Sequence, residues 1–109
     1  MKRLLTILLA CSLLNAEYTS ARTINVGKKE SVKSIKEGIS LAKTGDTLLI
    51  HPGTYREGNI ILEKSIFILG ESYPVLDGEN KYEILTIHAN HVVITGLRFI
   101  NTGIASMND

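Results

Sequence analysis

The segment from Ile60 to Gly70 (IILEKSIFILG) returns 26 positions later as Thr86 to Gly96 (TIHANHVVITG). Ile61 falls on Ile87, Lys64 on Asn90, Ile66 on Val92, Ile68 on Ile94 and Gly70 on Gly96. In both copies apolar residues alternate with others at period two, the signature of a strand whose side chains leave opposite faces. A strand–corner–strand module that recurs at a fixed interval cannot bury its own apolar face, so its copies must stack. The expected fold is an all-β solenoid. More specifically, it is a right-handed parallel β-helix of two to three coils with an N-terminal capping α-helix.

The rest of the chain fits around that repeat. Thr23 to Val26 (TINV) is a short candidate strand. From Ser31 the period changes, and Val32, Ile35, Ile39 and Ala42 fall on one side of a helix expected over about 31–43. Ser31 or Ser34 can cap it, and Ser34 with Glu37 forms a capping-box pair. Lys43 is placed to complement the helix dipole in the last turn, and Gly45 to end it. Gly38 inside the helix costs about 1 kcal/mol relative to alanine. An apolar stripe of this kind must lie on something, and the open end of the strand stack is the natural surface.

The coils are expected from about residue 46. Thr47 to Ile50 (TLLI) reads as a strand ended by Pro52 and Gly53, and Val75–Leu76 as the short third side of a coil closed by Asp77–Gly78. If Ile66, Ile68, Val92 and Ile94 point inward, Phe67 and Val93 stack on the outside. After the second copy, Leu97 and Phe99 continue the alternation up to a turn at Asn101–Thr102–Gly103. About two full turns follow the helix, with the start of a third. Solenoids are closed by caps at both ends, so this is the expected front of a longer stack; a minimal stack that self-associates through its open last rung is the alternative.

The first residues form a different unit. Lys2 and Arg3 precede an apolar run from Leu4 to Leu14, and Ala16 ends a plausible cleavage site. This is the layout of a secretory signal peptide over residues 1–16, too short for the ~20 residues of a membrane-spanning helix. Periplasmic or secreted localisation follows, with lipid attachment at Cys11, the only cysteine, as the competing outcome because Leu8–Cys11 is similar to a lipobox. Cleavage after Ala16 removes Cys11 and leaves a mature domain over 17–109 without disulfides. The whole chain carries 12 basic and 11 acidic residues. That balance gives no electrostatic case for nucleic acid.

Gly45 to Glu57 (GDTLLIHPGTYRE), after a helix and before strand repeats, resembles the opening of right-handed parallel β-helix proteins of the NosD type in the pectate-lyase-like superfamily. The resemblance spans Ser31 to Gly103. Its marks are the capping helix, Gly45–Asp46, the Pro52–Tyr55 corner, Gly70, Asp77–Gly78 and the strand from Val92 to Gly96. It implies a periplasmic accessory protein that helps mature the copper centre of nitrous oxide reductase. Its partner would be a protein, either that copper reductase or its assembly transporter. Gly53, Tyr55 and Glu57 also match the Gly-x-Tyr-x-Glu motif of pectin methylesterases. That likeness implies the alternative, a protein acting on or binding polysaccharide, although the family's later aspartate motifs are not in this chain.

Candidate chemistry is sparse. Asp46 and Asp77 sit beside glycines, where turn geometry alone favours aspartate. No Gly-x-Ser-x-Gly or phosphate-loop pattern occurs, and no catalytic residue or certain cofactor is assigned. His88 and His91 bracket the polar corner of the second repeat, and His51 ends the strand before Pro52. Imidazole is a good copper ligand, as is the thioether of Met107 for the reduced ion, so these three histidines are the candidate metal residues. Intact-mass measurement of the exported protein is expected to show a start near Glu17 without lipid; a diacylated Cys11 at the N-terminus would contradict the signal-peptide reading.

Overall fold

The computed structural model describes residues 20–103, so the signal-peptide segment, Cys11 and Met107 lie outside the described residues. Nine short strands and one helix follow in order. They are β1 (Thr23–Val26), α1 (Ile35–Leu41), β2 (Thr47–Ile50), β3 (Thr54–Tyr55), β4 (Ile60–Leu62), β5 (Phe67–Gly70), β6 (Val75–Asp77), β7 (Leu85–Ile87), β8 (Val93–Thr95) and β9 (Arg98–Ile100). All pairings are parallel, and they form three sheets in the orders β1-β2-β5-β8, β3-β6-β9 and β4-β7. Each sheet is one side of a coil, and successive coils stack strand on strand. The chain is a parallel β-solenoid of about three turns with one short helix.

Alternation decides which residues fill the interior. On the first side, Ile24, Leu48, Ile68 and Ile94 lie in one inward column, with Val26 and Ile50 in the next. Tyr55, Leu76 and Phe99 form the column of the second side, and Leu62 with Ile87 that of the third. Burial is nearly complete in the early coils and fails in the last. Leu62 is 0% exposed while its partner Ile87 is 44% exposed, and Leu76 is 2% exposed while Phe99 is 47% exposed. The inward face of the last rung therefore meets solvent across a depression of about 460 Å³ that includes Ile84, Leu85, Ile94 and Phe99.

The repeat is not uniform. β5 and β8 pair 26 positions apart (Phe67 with Val93), but β4 and β7 pair 25 apart (Ile60 with Leu85). Ile61 thus sits beside Thr86, and Leu62, not Ile61, is the rung partner of Ile87. A one-residue slip exchanges the faces of a strand, so this difference decides that Ile61 points out, where it is 51% exposed. The corner between β4 and β5 spans 63–66 and that between β7 and β8 spans 88–92. The extra residue is absorbed where His91 takes a left-handed backbone (φ 55°). Gly70 and Gly96 do stack as the repeat requires: a Cβ on Gly70 would come within about 2.2 Å of the Gly96 carbonyl oxygen.

The stack begins one strand before residue 46, because β1 pairs with β2 (Thr23 with Thr47). The helix lies between these two strands in sequence and packs on β1, β2 and β4, covering the core at the N-terminal end. It is shorter than its apolar spacing implies. Val32 is buried, yet it makes a parallel bridge to Val26 instead of a helical turn. Ser34 is the N-cap, its Oγ accepting from Glu37 N at 3.1 Å, and Lys43 lies beyond the last turn. Gly38 is at the closest approach of helix and sheet: an added Cβ would stand 2.8 Å from Leu48 Cδ1 and 2.9 Å from Val26 Cγ2. Leu48 and Val26 are both fully buried and have little room to yield.

Helix propensity alone says that Gly38→Ala should stabilise by about 1 kcal/mol. Overpacking of this kind costs about 1–3 kcal/mol. Gly38→Ala is therefore expected to lower stability in urea unfolding, and Ile39→Ala to lower it by about 2–5 kcal/mol through cavity formation. A Gly38→Ala variant more stable than the parent would show that the helix does not press on the sheet.

Candidate functional site

The Gly53–Glu57 segment is built into the frame. The Tyr55 hydroxyl donates to the His51 carbonyl oxygen at 2.7 Å, closing the corner between the first and second sides from within. Burial pushes the Tyr55 phenol pKa up, with the negative charge of Glu57 adding to the effect. Gly53 contributes its carbonyl, which accepts from Val75 N at 2.9 Å one coil later. Glu57 reaches the start of the helix: its Oε2 accepts from Ile35 N at 2.7 Å and its Oε1 from Lys36 N at 3.0 Å. A carboxylate here satisfies two of the N–H groups that a helix start leaves without partners, and suits the helix dipole.

Two aspartates are occupied in the same way. Asp46 is 3% exposed, and its carboxylate accepts from Lys43 N at 2.8 Å, Arg22 N at 3.0 Å and Arg22 Nε at 3.3 Å. These bonds tie the end of the helix segment to the start of β1, and Arg22 also donates to the Leu41 carbonyl at 2.7 Å. The Lys43 N–H first, then the Arg22 N–H and side chain, hold the Asp46 pKa below the usual carboxylate value against the opposing effect of burial. Asp77 closes its turn by accepting from Glu79 N at 2.8 Å and from Asn101 Nδ2 at 3.1 Å. Its pKa is lowered chiefly by the Glu79 N–H and the Asn101 amide, with Arg56 helping.

The candidate metal residues fall at different corners. His51 follows β2, whereas His88 and His91 lie between β7 and β8, both exposed. His88 N donates to the Leu62 carbonyl, so the segment is anchored through its backbone. Among the described residues no three His, Cys, Asp or Glu side chains converge as a metal site would require. His51 has neighbours the repeat did not reveal. Its Nδ1 is 2.6 Å from Glu71 Oε2, and its Nε2 is 2.9 Å from Asn25 Oδ1 and 3.4 Å from Glu30 Oε1. The signal for Glu71 was the 20-residue offset of β2 on β5, which puts LLIH level with ILGE, and it was masked by the longer offset of the later coils.

The outer surface of the four-stranded sheet carries the column Thr23, Thr47, Phe67 and Val93, the last two 41% and 46% exposed. Phe67 and Val93 thus lie on the outer face, as the alternation requires. Comparison with protein-family models, curated proteins and solved structures finds no match to the chain. No helix among the described residues is long and apolar enough to cross a membrane.

The lowered pKa values of Asp46 and Asp77 mean that the fold favours their ionised forms. Their stabilisation is complete above the ordinary carboxylate pKa of about 3.9 and is lost as pH falls through the lowered folded values. Acid unfolding should therefore set in below about pH 4. Asp46→Asn should lower stability at neutral pH and flatten that acid limb, as followed by circular dichroism. An unchanged acid limb in Asp46→Asn would contradict its role.

Proposed function

We propose that this chain is a periplasmic or secreted accessory protein, a β-helix front that engages a protein partner and performs no reaction itself. The work done by Tyr55 and Glu57 carries this reading. They are the residues that invite comparison with an esterase, and here the phenol closes a corner while the carboxylate caps a helix. The surface that remains available is the outward column ending in Phe67 and Val93, where an apolar strip suits contact with a protein. The sequence likeness to NosD-type factors supplies the identity of that partner: a nitrous oxide reductase acquiring copper, or the transporter that serves its assembly. Export rests on Lys2, Arg3 and the apolar run from Leu4 to Leu14.

The test is a complementation. In a denitrifying bacterium lacking its own β-helix maturation factor, this chain should restore copper content to nitrous oxide reductase. Phe67→Glu combined with Val93→Glu should reduce that restoration while leaving the circular dichroism spectrum unchanged. The purified chain should release no methanol from methylated pectin. Methanol release without any gain in reductase copper would instead favour the polysaccharide reading.

A further inference from the structure

In the last coil the same residues lack partners twice, through the backbone and through the side chain. β7, β8 and β9 are each the final strand of their sheet, so among the described residues one row of their N–H and C=O groups has no strand beside it. In a parallel strand these groups point alternately to the two edges, residue by residue. Val93 N donates back to the Ile66 carbonyl, Arg98 N to the Pro74 carbonyl and His88 N to the Leu62 carbonyl. The backbone groups of Ile94, Phe99 and Ile87, one residue away, therefore point to the open edge. Their side chains belong to the inward columns, and Ile87 and Phe99 stay 44% and 47% exposed over the apolar depression of about 460 Å³. Strand edges are ordinarily guarded by charge, proline or bulges. β7 (LTI) and β8 (VIT) carry no charge or proline, and β9 (RFI) carries only Arg98, on its outward face.

We propose that a second copy of this chain covers the open coil, the two molecules meeting end to end about a two-fold axis as a closed dimer. An axis lying across the coil reverses strand direction, so every edge meets an antiparallel edge, and β7, β8 and β9 offer three residues each. The apolar end also meets its own likeness without an electrostatic penalty. From Lys81 to Gly103 the only full charges are Lys81, Glu83 and Arg98, so two such ends bring little like charge together. Other occupants fit less well. Residues 104–109 reach at most ~20 Å past Gly103, which covers one strand edge and not three. The opposite end of a neighbour is blocked, because α1 covers it with Ile35 and Ile39 buried and with Glu57 and Lys64 holding its two ends. Association therefore closes at two copies and does not run on into a fibre. One coil end is a small contact by the standard of specific interfaces, so the dimer should exchange readily with monomer. The outward strip of Phe67 and Val93 stays outside this contact, and the dimer does not depend on the accessory role proposed above.

Sedimentation of the full chain over a concentration series should show a reversible monomer–dimer equilibrium and nothing larger. In the same unaltered protein, hydrogen exchange at the Ile87, Ile94 and Phe99 amides should slow in step with the dimer fraction, while exchange in β2 stays as it is. Ile87→Lys combined with Phe99→Lys should abolish the dimer and leave the circular dichroism spectrum unchanged, since both side chains are already nearly half exposed. Phe67→Glu combined with Val93→Glu should leave the dimer intact. A chain that is monomeric at every concentration overturns the proposal, and so do oligomers that grow past two. Full protection of the three amides in the dilute monomer would show that the chain's own residues cover the coil, and would overturn it equally. A dimer that survives the two lysines, or is lost with the two glutamates, places the contact elsewhere and has the same consequence. The exchange is read without any substitution, so a variant that fails to fold does not obscure the result.

Discussion

A seven-residue helix held at each end by a charge from the coil beneath it fixes the geometry of this protein. Glu57 takes the N–H groups of Ile35 and Lys36, and Lys64 Nζ donates to the carbonyls of Ile39 and Ala42 at 2.7 Å and of Ser40 at 3.2 Å. A helix this short has no stability of its own in water. Satisfying unpaired end groups is worth about 1–2 kcal/mol at each end. The larger effect is placement. With both ends pinned, Ile35, Gly38 and Ile39 press on the first coil, where the absence of a side chain at Gly38 lets the helix come close to Leu48 and Val26.

From that fixed end the stack grows by parallel pairing. Tyr55, Asp46 and Asp77 hold the corners, and Gly70 on Gly96 allows successive turns to approach where a Cβ would collide. The order of burial along each column follows: complete beside the helix, partial at β7, β8 and β9. Many of the polar residues that look like chemistry in the linear sequence are therefore joints. The His51 ring is another such joint, with Nδ1 2.6 Å from Glu71 Oε2 and Nε2 2.9 Å from Asn25 Oδ1, so that it links the ends of three successive strands of one sheet.

Much of this was legible in the sequence. Alternation located Thr23–Val26 and Thr47–Ile50 to the residue, and the matched glycines Gly70 and Gly96 marked equivalent turns. The register of β4 on β7 was not legible, because Ile61 and Ile87 align well as letters while the longer corner through His91 moves the pairing by one. Val32 has helical spacing but finds a partner in Val26, a long-range contact that local periodicity does not contain. Lys43 stands in the right place for the helix dipole by sequence. Lys64, 22 residues after Ala42, reaches the carbonyls instead. Long side chains acting across coils are invisible until the stacking offset is known, and the same reason hid Glu57, Glu71 and Glu30.

Native-state hydrogen exchange tests the pinned helix most directly. If Glu57 and Lys64 join it to the first coil, the amides of Gly38 and Ala42 should open together with those of β2 and β5, in one cooperative unit. In Lys64→Met the helix amides alone should lose protection while the strands keep theirs. Helix amides that exchange far faster than the strands in the parent protein, and do not respond to Lys64→Met, would contradict this architecture.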